Sequence, residues 1–307
     1  MKRNFFDYFI LTLKGMAMGA ADVVPGVSGG TIAFISGIYE ELIHALSTVN
    51  LSTLKFLKSK GLKATWKYIN GNFLVALFLG VILSILTLSK LVAYLLEEQP
   101  ILLWAFFFGL VVASIIFVLK KLERLNFAAL IGLIFGGIFA YQLTQISALS
   151  TSESVVYLFF SGAIAICAMI LPGISGAFIL VILGSYTNVI QALNNKEIDK
   201  ILIFVSGAIV GILSFSKLLK WLFNKHKNFT LAVLTGFMIG ALTKIWPWKK
   251  VLNYRINSEG INVPFKEECV SPFAFDGDPQ LLAAIGFMLF GFFMIIILEK
   301  ISSNKVA

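Results

Sequence analysis

The sequence predicts an all-α integral membrane protein built from two inverted-topology repeats, each a Pro-Gly-broken re-entrant helical hairpin plus three transmembrane helices. Three observations carry this expectation. The 307 residues are 58% hydrophobic and only 13% charged, with a mean hydropathy of +0.90, far outside the range of soluble domains. Apolar stretches approaching the roughly 20 residues needed to cross a hydrocarbon core about 30 Å thick recur along the whole chain. The chain also carries an internal duplication, the signature of a repeat architecture.

The duplication is read directly. DVVPGVSGGTIAFISGIYEELIHAL, starting at Asp22, matches MILPGISGAFILVILGSYTNVIQAL, starting at Met169, at a constant offset of about 147 residues. Pro25, Gly26, Ser28, Gly29, Gly37 and Tyr39 fall on Pro172, Gly173, Ser175, Gly176, Gly184 and Tyr186. Further on, GVILSILTLSKL from Gly80 matches GAIVGILSFSKL from Gly207, which carries Ser89 and Lys90 onto Ser216 and Lys217, and Gly109 onto Gly236. The offset falls by about 20 residues between the two blocks, so a Lys-rich connection in the first half reads as an added, variable loop. The halves are residues 1–149 and 150–307, together one membrane domain.

In the first half the expected elements are a broken helix over about 8–46, with its break near 25–28, and helices over 72–96, 101–119 and 127–146. In the second they are 155–193, with the break near 172–175, then 200–223, 229–246 and 280–299. Proline removes a backbone donor and clashes with the preceding turn, and the glycine after it frees the chain to reverse, so the first helix of each half must break. A break at membrane depth is tolerated only where protein or a cavity surrounds it, which favours a re-entrant hairpin over two full crossings.

Loop charge sets the orientation. Lys55, Lys58, Lys60, Lys63 and Lys67 share one acid-free connection, which is expected in the cytoplasm. The Glu97-Glu98 turn then falls outside, Lys120, Lys121 and Arg124 inside, and the stretch around Glu153 outside. The loop from Lys196 to Lys200 is outside, Lys225 and Lys227 inside, 251–280 outside, and Lys300 and Lys305 inside. Both termini are thereby cytoplasmic, and an odd number of crossings per half inverts the second half. The net charge of +9 lies in these short loops, with no aromatic-interleaved basic face, so nucleic acid is not an expected partner. Cys167 and Cys269 are too few and too differently placed for a disulfide framework or a metal site. No secretory-signal pattern precedes the first apolar segment, so the N-terminus MKRNFF is expected to be retained.

Ser28 and Ser175 sit where helix N-caps are expected, with Gly29, Gly30 and Thr31, or Gly176 and Ala177, in the next turn. Helix starts carry partial positive charge and free N–H donors, and small residues let an anion approach. Two such ends, Pro25, Gly26, Ser28, Gly29, Gly30 and Thr31 with Pro172, Gly173, Ser175 and Gly176, would bracket one small anionic group near the midplane. Contacts between small-residue helices without a ligand are the alternative. Helix ends contribute at most about 2 kcal/mol, less than burying a phosphate costs, so a cation or a wet cavity is needed. Lys90 and Lys217 are the candidates, with snorkelling to the interface as the alternative. Asp22 has apolar Met169 as its repeat mate; it either couples transport to protons or caps a half-helix. Tyr39 and Tyr186 read as aromatic-belt residues.

These residues resemble a known family. GMAMGAADVVPGVSGGTIAFISGIYEELI with the degenerate copy LPGISGAFILVILGSY is similar to the bacterial polyprenyl-phosphate transporters of the PopT type, long catalogued as a domain of unknown function. The resemblance implies translocation of undecaprenyl phosphate, the C55 lipid carrier of envelope polymers, from the outer to the cytoplasmic leaflet of the bacterial plasma membrane for reuse. It implies no cofactor, no metal and no catalytic residue. The expected partners are the polyprenyl phosphate, membrane lipids, and protons or sodium as coupling ion. Undecaprenyl-diphosphate phosphatases of the BacA type share the outline, but in them an Arg follows the Ser and a Glu-Gly-x-x-Glu motif is present, whereas here Gly29 and Gly176 follow the serines. A carrier of a soluble anion is the third reading.

Overall fold

The computed structural model describes residues 3–24, 27–146, 154–256 and 262–303, and the chain is mostly helical. Pro25, Gly26, the junction of the two halves at 149/150, the stretch around Glu153, and Lys305 lie outside the described residues.

The first half opens with α1 (Phe5–Val23), α2 (Gly29–Ile35) and α3 (Tyr39–Thr48). The second opens with α9 (Val155–Ile170), α10 (Gly176–Ile182) and α11 (Tyr186–Asn194). Each broken helix is therefore in three pieces, not two. The further break falls at Gly37 (φ +73°) and at Gly184 (φ +65°), a left-handed conformation that costs glycine nothing. Both breaks close with the same pair of bonds: Gly37 and Ile38 N–H to Phe34 and Ala33 C=O, Gly184 and Ser185 N–H to Val181 and Leu180 C=O. The chain bends by 109° from α10 to α11.

The Lys-rich connection is a helix, α4 (Leu51–Tyr68), rather than a loop. Asn50 caps it by accepting from the Ser52 and Thr53 N–H groups, and it kinks at Gly61 (φ +77°). The helix expected over 72–96 is likewise two, α5 (Gly71–Thr87) and α6 (Ser89–Glu98), divided at Leu88. Next come α7 (Pro100–Lys121) and α8 (Phe127–Gln145). In the second half one long helix, α12 (Ile198–Ala241), kinks at His226 and ends in a 3-10 turn at Leu242–Ile245, covering two expected helices.

The all-α expectation needs one correction. Strands β1 (Lys249–Ile256) and β2 (Asn262–Cys269) form an antiparallel hairpin before α13 (Leu281–Ser303). Its base is fixed by two indoles: Trp246 Nε1 donates to Val270 C=O and Trp248 Nε1 to Pro279 C=O, each at 2.9 Å. Trp248 is buried among Ile101, Ala105 and Ala284, on α7 and α13.

Pro100–Lys121, Phe127–Gln145 and Ile198–Ile245 are long and apolar enough to cross a membrane. Their outer faces, and those of α5 and α13, expose Val75, Ile82, Phe135, Ile138, Phe287 and Phe290. With apolar helices throughout, this is a multi-pass membrane protein.

Helix packing follows the sequence duplication. A Cβ on Gly15 of α1 would lie 2.1 Å from Leu77 C=O, and one on Gly80 of α5 2.0 Å from Thr12 C=O. The repeat mates do the same: Gly162 of α9 meets Phe204 C=O at 2.3 Å and Gly207 of α12 meets Phe159 C=O at 2.0 Å. Missing side chains let each helix pair touch backbone to backbone. The last helices exchange partners. Helix α13 packs on α7, with Gly109 against Met288 C=O and Gly291 against Phe106 C=O, while α8 packs on the second part of α12, with Gly136 against Val233 C=O.

Candidate functional site

The chain turns between α1 and α2, and Ser28 holds the new helix start in extended geometry (φ −127°, ψ 137°). Its Oγ accepts from Gly30 N–H at 3.1 Å and its carbonyl from Thr31 N–H at 2.8 Å. Gly29 N–H donates to Asp22 Oδ1 at 2.7 Å. The free donors expected at this end are thus all taken. Asp22, one turn back, already supplies the negative group that a helix start attracts.

The two breaks meet. The Ser28 hydroxyl donates to Met169 C=O at 2.8 Å and lies 3.3 Å from Leu171 C=O, two carbonyls at the end of α9 that have no partner within their own helix. Thr31 Oγ1 accepts from Gly173 N–H at 2.9 Å. The backbones are so close that a Cβ on Gly30 would lie 2.3 Å from Ile170 C=O. Ser28, Gly29, Gly30, Thr31, Pro172, Ser175 and Gly176 are all buried. The ends are brought together as expected, but they leave no gap for a headgroup: small residues allow the chains to dock on each other directly.

The second end differs. Ser175 caps α10 by accepting from Phe178 N–H at 3.4 Å, and Met169 stands where the first half has Asp22. Gly173, at φ +86°, makes the turn, and Ala177 is exposed. Phe178, the repeat mate of Thr31, carries the Lys244 ammonium 5.3 Å from its ring centre. Lys90 and Lys217 are both exposed, and among the described residues neither bonds to this junction. Tyr39 is not at an interface: it is 2% exposed, packed against Phe34 and Phe223, with a hydroxyl that has no partner among the described residues.

Two cations escaped the sequence reading. Lys244, in the 3-10 turn, and Lys249, on β1, flank the Trp246–Trp248 segment and share a single carboxylate, Glu267, at 3.1 and 3.5 Å. Lys249 also donates to Lys244 C=O at 2.9 Å and sits 4.2 Å above the Trp104 ring. Burial pulls the Lys249 ammonium down to about 8, against the opposing pull of Glu267. Burial pushes the Glu267 carboxyl up, but Lys249 and Lys244 outweigh it and hold it below its ordinary value. These groups, with Tyr141 and Gln145 from the end of α8 and Thr243, border a cavity of about 410 Å³. A signal was present in the sequence: lysines cluster next to a segment expected outside, where positive charge is disfavoured.

Over residues 18–263 the chain matches the family described as undecaprenyl phosphate translocase-like. The chain belongs to this family. It is 47% identical over 304 residues to a protein of Vibrio cholerae serotype O1 named polyprenyl-phosphate transporter, covering 98% of this chain and 99% of that one. It is 32% identical over 258 residues to a protein of the same name from Staphylococcus aureus, covering 78% of this chain and 86% of that one. No solved structure matches the chain. Family and relatives make this member a transporter, not an enzyme, and set the phosphatase reading aside.

Proposed function

We propose that this protein moves a polyprenyl phosphate, undecaprenyl phosphate in the cell, from the outer to the cytoplasmic leaflet of the bacterial plasma membrane for reuse in envelope synthesis. The relatives' names supply the substrate. The meeting of the two breaks, Ser28 on the carbonyls of Met169 and Leu171, is the observation that carries the mechanism. Two re-entrant breaks from inverted halves, touching inside the bilayer, form a seam that a phosphate can cross while its tail stays in lipid. The duplicated glycine contacts support a structural repeat, and the loop-charge pattern supports its inversion with both termini in the cytoplasm.

In this arrangement the seam is closed. On opening, the N–H groups of Gly29, Gly30, Thr31 and Gly176 and the hydroxyls of Ser28 and Ser175 become the headgroup's ligands, together with the sequence segments Pro25-Gly26 and Pro172-Gly173. Asp22 is the competing anion: a proton on its carboxylate weakens the hold on Gly29 N–H and admits the phosphate, which couples transport to protons rather than sodium. Lys90 and Lys217, exposed on helices of opposite halves, screen the headgroup at either surface.

The test is a leaflet-resolved transport assay of undecaprenyl phosphate in proteoliposomes at varied pH, comparing native protein with Asp22→Asn. Transport by the native protein that responds to pH, and a pH response lost in the variant, is the expected result. Transport in the variant with the native pH response eliminates Asp22 as the coupling group.

A further inference from the structure

We infer that the cavity under the β-hairpin is a docking site for a phosphate monoester headgroup, with Lys244 as its principal ligand. This rests on the proposed function and adds a place where the substrate is held before it reaches the seam. Two ammonium groups sharing one carboxylate leave a surplus positive charge at a partly buried spot, and an anion relieves it. Glu268 also borders the cavity, but it lies opposite Lys250 in the ladder. The Tyr141 hydroxyl and the Gln145 amide, both at the cavity, add donors that a phosphate's oxygens require.

The surroundings favour an amphiphile. On α8, Ile134, Ile138 and Tyr141 are 49%, 58% and 45% exposed and recur at helical spacing, forming an apolar stripe that leads to Gln145 at the cavity. A prenyl chain laid along that stripe stays in lipid while its phosphate sits beside Lys244. Lys244 also lies over the ring of Phe178 on α10, the helix that starts at the second break. A free phosphate would use the same ammonium groups but gain nothing from the stripe.

Cys269 is exposed and lines the cavity, so it reports occupancy. In purified full-length Cys167→Ala protein, the rate at which a methanethiosulfonate reagent modifies Cys269 is followed against farnesyl phosphate, farnesol and inorganic phosphate. Farnesyl phosphate is expected to protect, and Lys244→Gln to raise the half-protecting concentration about tenfold, as for losing one charge-assisted hydrogen bond. Lys244→Arg should restore protection, and Lys58→Gln, exposed on α4 and outside the cavity lining, should leave it native. Absence of protection, an unchanged Lys244→Gln, or inorganic phosphate protecting as well as farnesyl phosphate overturns the proposal. The same preparations are assayed for leaflet-resolved transport. Transport without protection sinks this site alone, whereas protection without transport retains it and sinks the proposed function.

Discussion

Ser28 and Thr31 tie the two breaks together by bonds across the junction, while Asp22 occupies the helix start beside it. Ser28 donates to the part-buried Met169 carbonyl at the end of α9, so Ser28→Ala leaves that carbonyl short of a donor and should destabilise the protein by about 1–3 kcal/mol, read as a lower thermal midpoint in detergent. Thr31→Val keeps the shape but strands Gly173 N–H, and a similar loss is expected. Lys249 gives a pH effect instead. Its value of about 8 lies below the ordinary 10.5, so the folded protein releases that proton first and stability from this group rises with pH between the two. The groups facing it are Lys244, Glu267, Glu268 and Cys269, with Trp104 beneath. A bound phosphate monoester has already lost its second proton by that pH, its own second value being about 6. Farnesyl phosphate protection of Cys269 is therefore expected to weaken as pH passes about 8, and to lose this step in Lys249→Gln. An unaltered step in that variant assigns it to another group.

At the scale of elements, the paired glycines decide which helices adhere. Gly80 of α5 and Gly207 of α12 each sit against a carbonyl that leaves no room for a side chain, so Gly80→Leu and Gly207→Leu should each cost more than about 3 kcal/mol and deplete folded protein in size-exclusion profiles. Native-like profiles for either variant would show that the close approach is dispensable. These glycines were legible in the sequence as matched positions, as were the apolar helices, because membrane burial imposes a composition that hydropathy reads. Other elements left weaker marks. Helix α4 is too polar for that signal and is stabilised by its Asn50 cap; α5 and α6 part at Leu88 with neither Pro nor Gly; and the hairpin depends on a strand pairing that neither strand encodes alone. The site divides in the same way. Ser28, Thr31 and Gly173 could be named from the repeat, but their bonds join residues more than a hundred positions apart. Only packing reveals that Asp22 and the opposing carbonyls fill the space an anion was expected to occupy.

For the whole molecule, the exchange of last helices ties the halves together: α13 of the second grips α7 of the first, and α8 of the first grips α12 of the second. An ion pair, Lys227 Nζ to Glu40 at 2.9 Å, adds a link on the face bearing His226. Halves laced in this way cannot simply part, so in the proposed mechanism the seam opens by movement of the short helices α2 and α10 against a frame of α7, α8, α12 and α13. Such a frame fixes which side each surface feature faces. In the proposed topology the five lysines of α4, with no acid among them, are cytoplasmic, and the hairpin with Cys269 lies across the membrane from them. In right-side-out vesicles of Cys167→Ala protein, an impermeant thiol reagent should modify Cys269 without lysis. A Lys58→Cys variant on a background also carrying Cys269→Ser should react only after lysis. If both cysteines react from the same side, α4 and the hairpin share a face, and the inverted arrangement on which the crossing of the seam depends is lost.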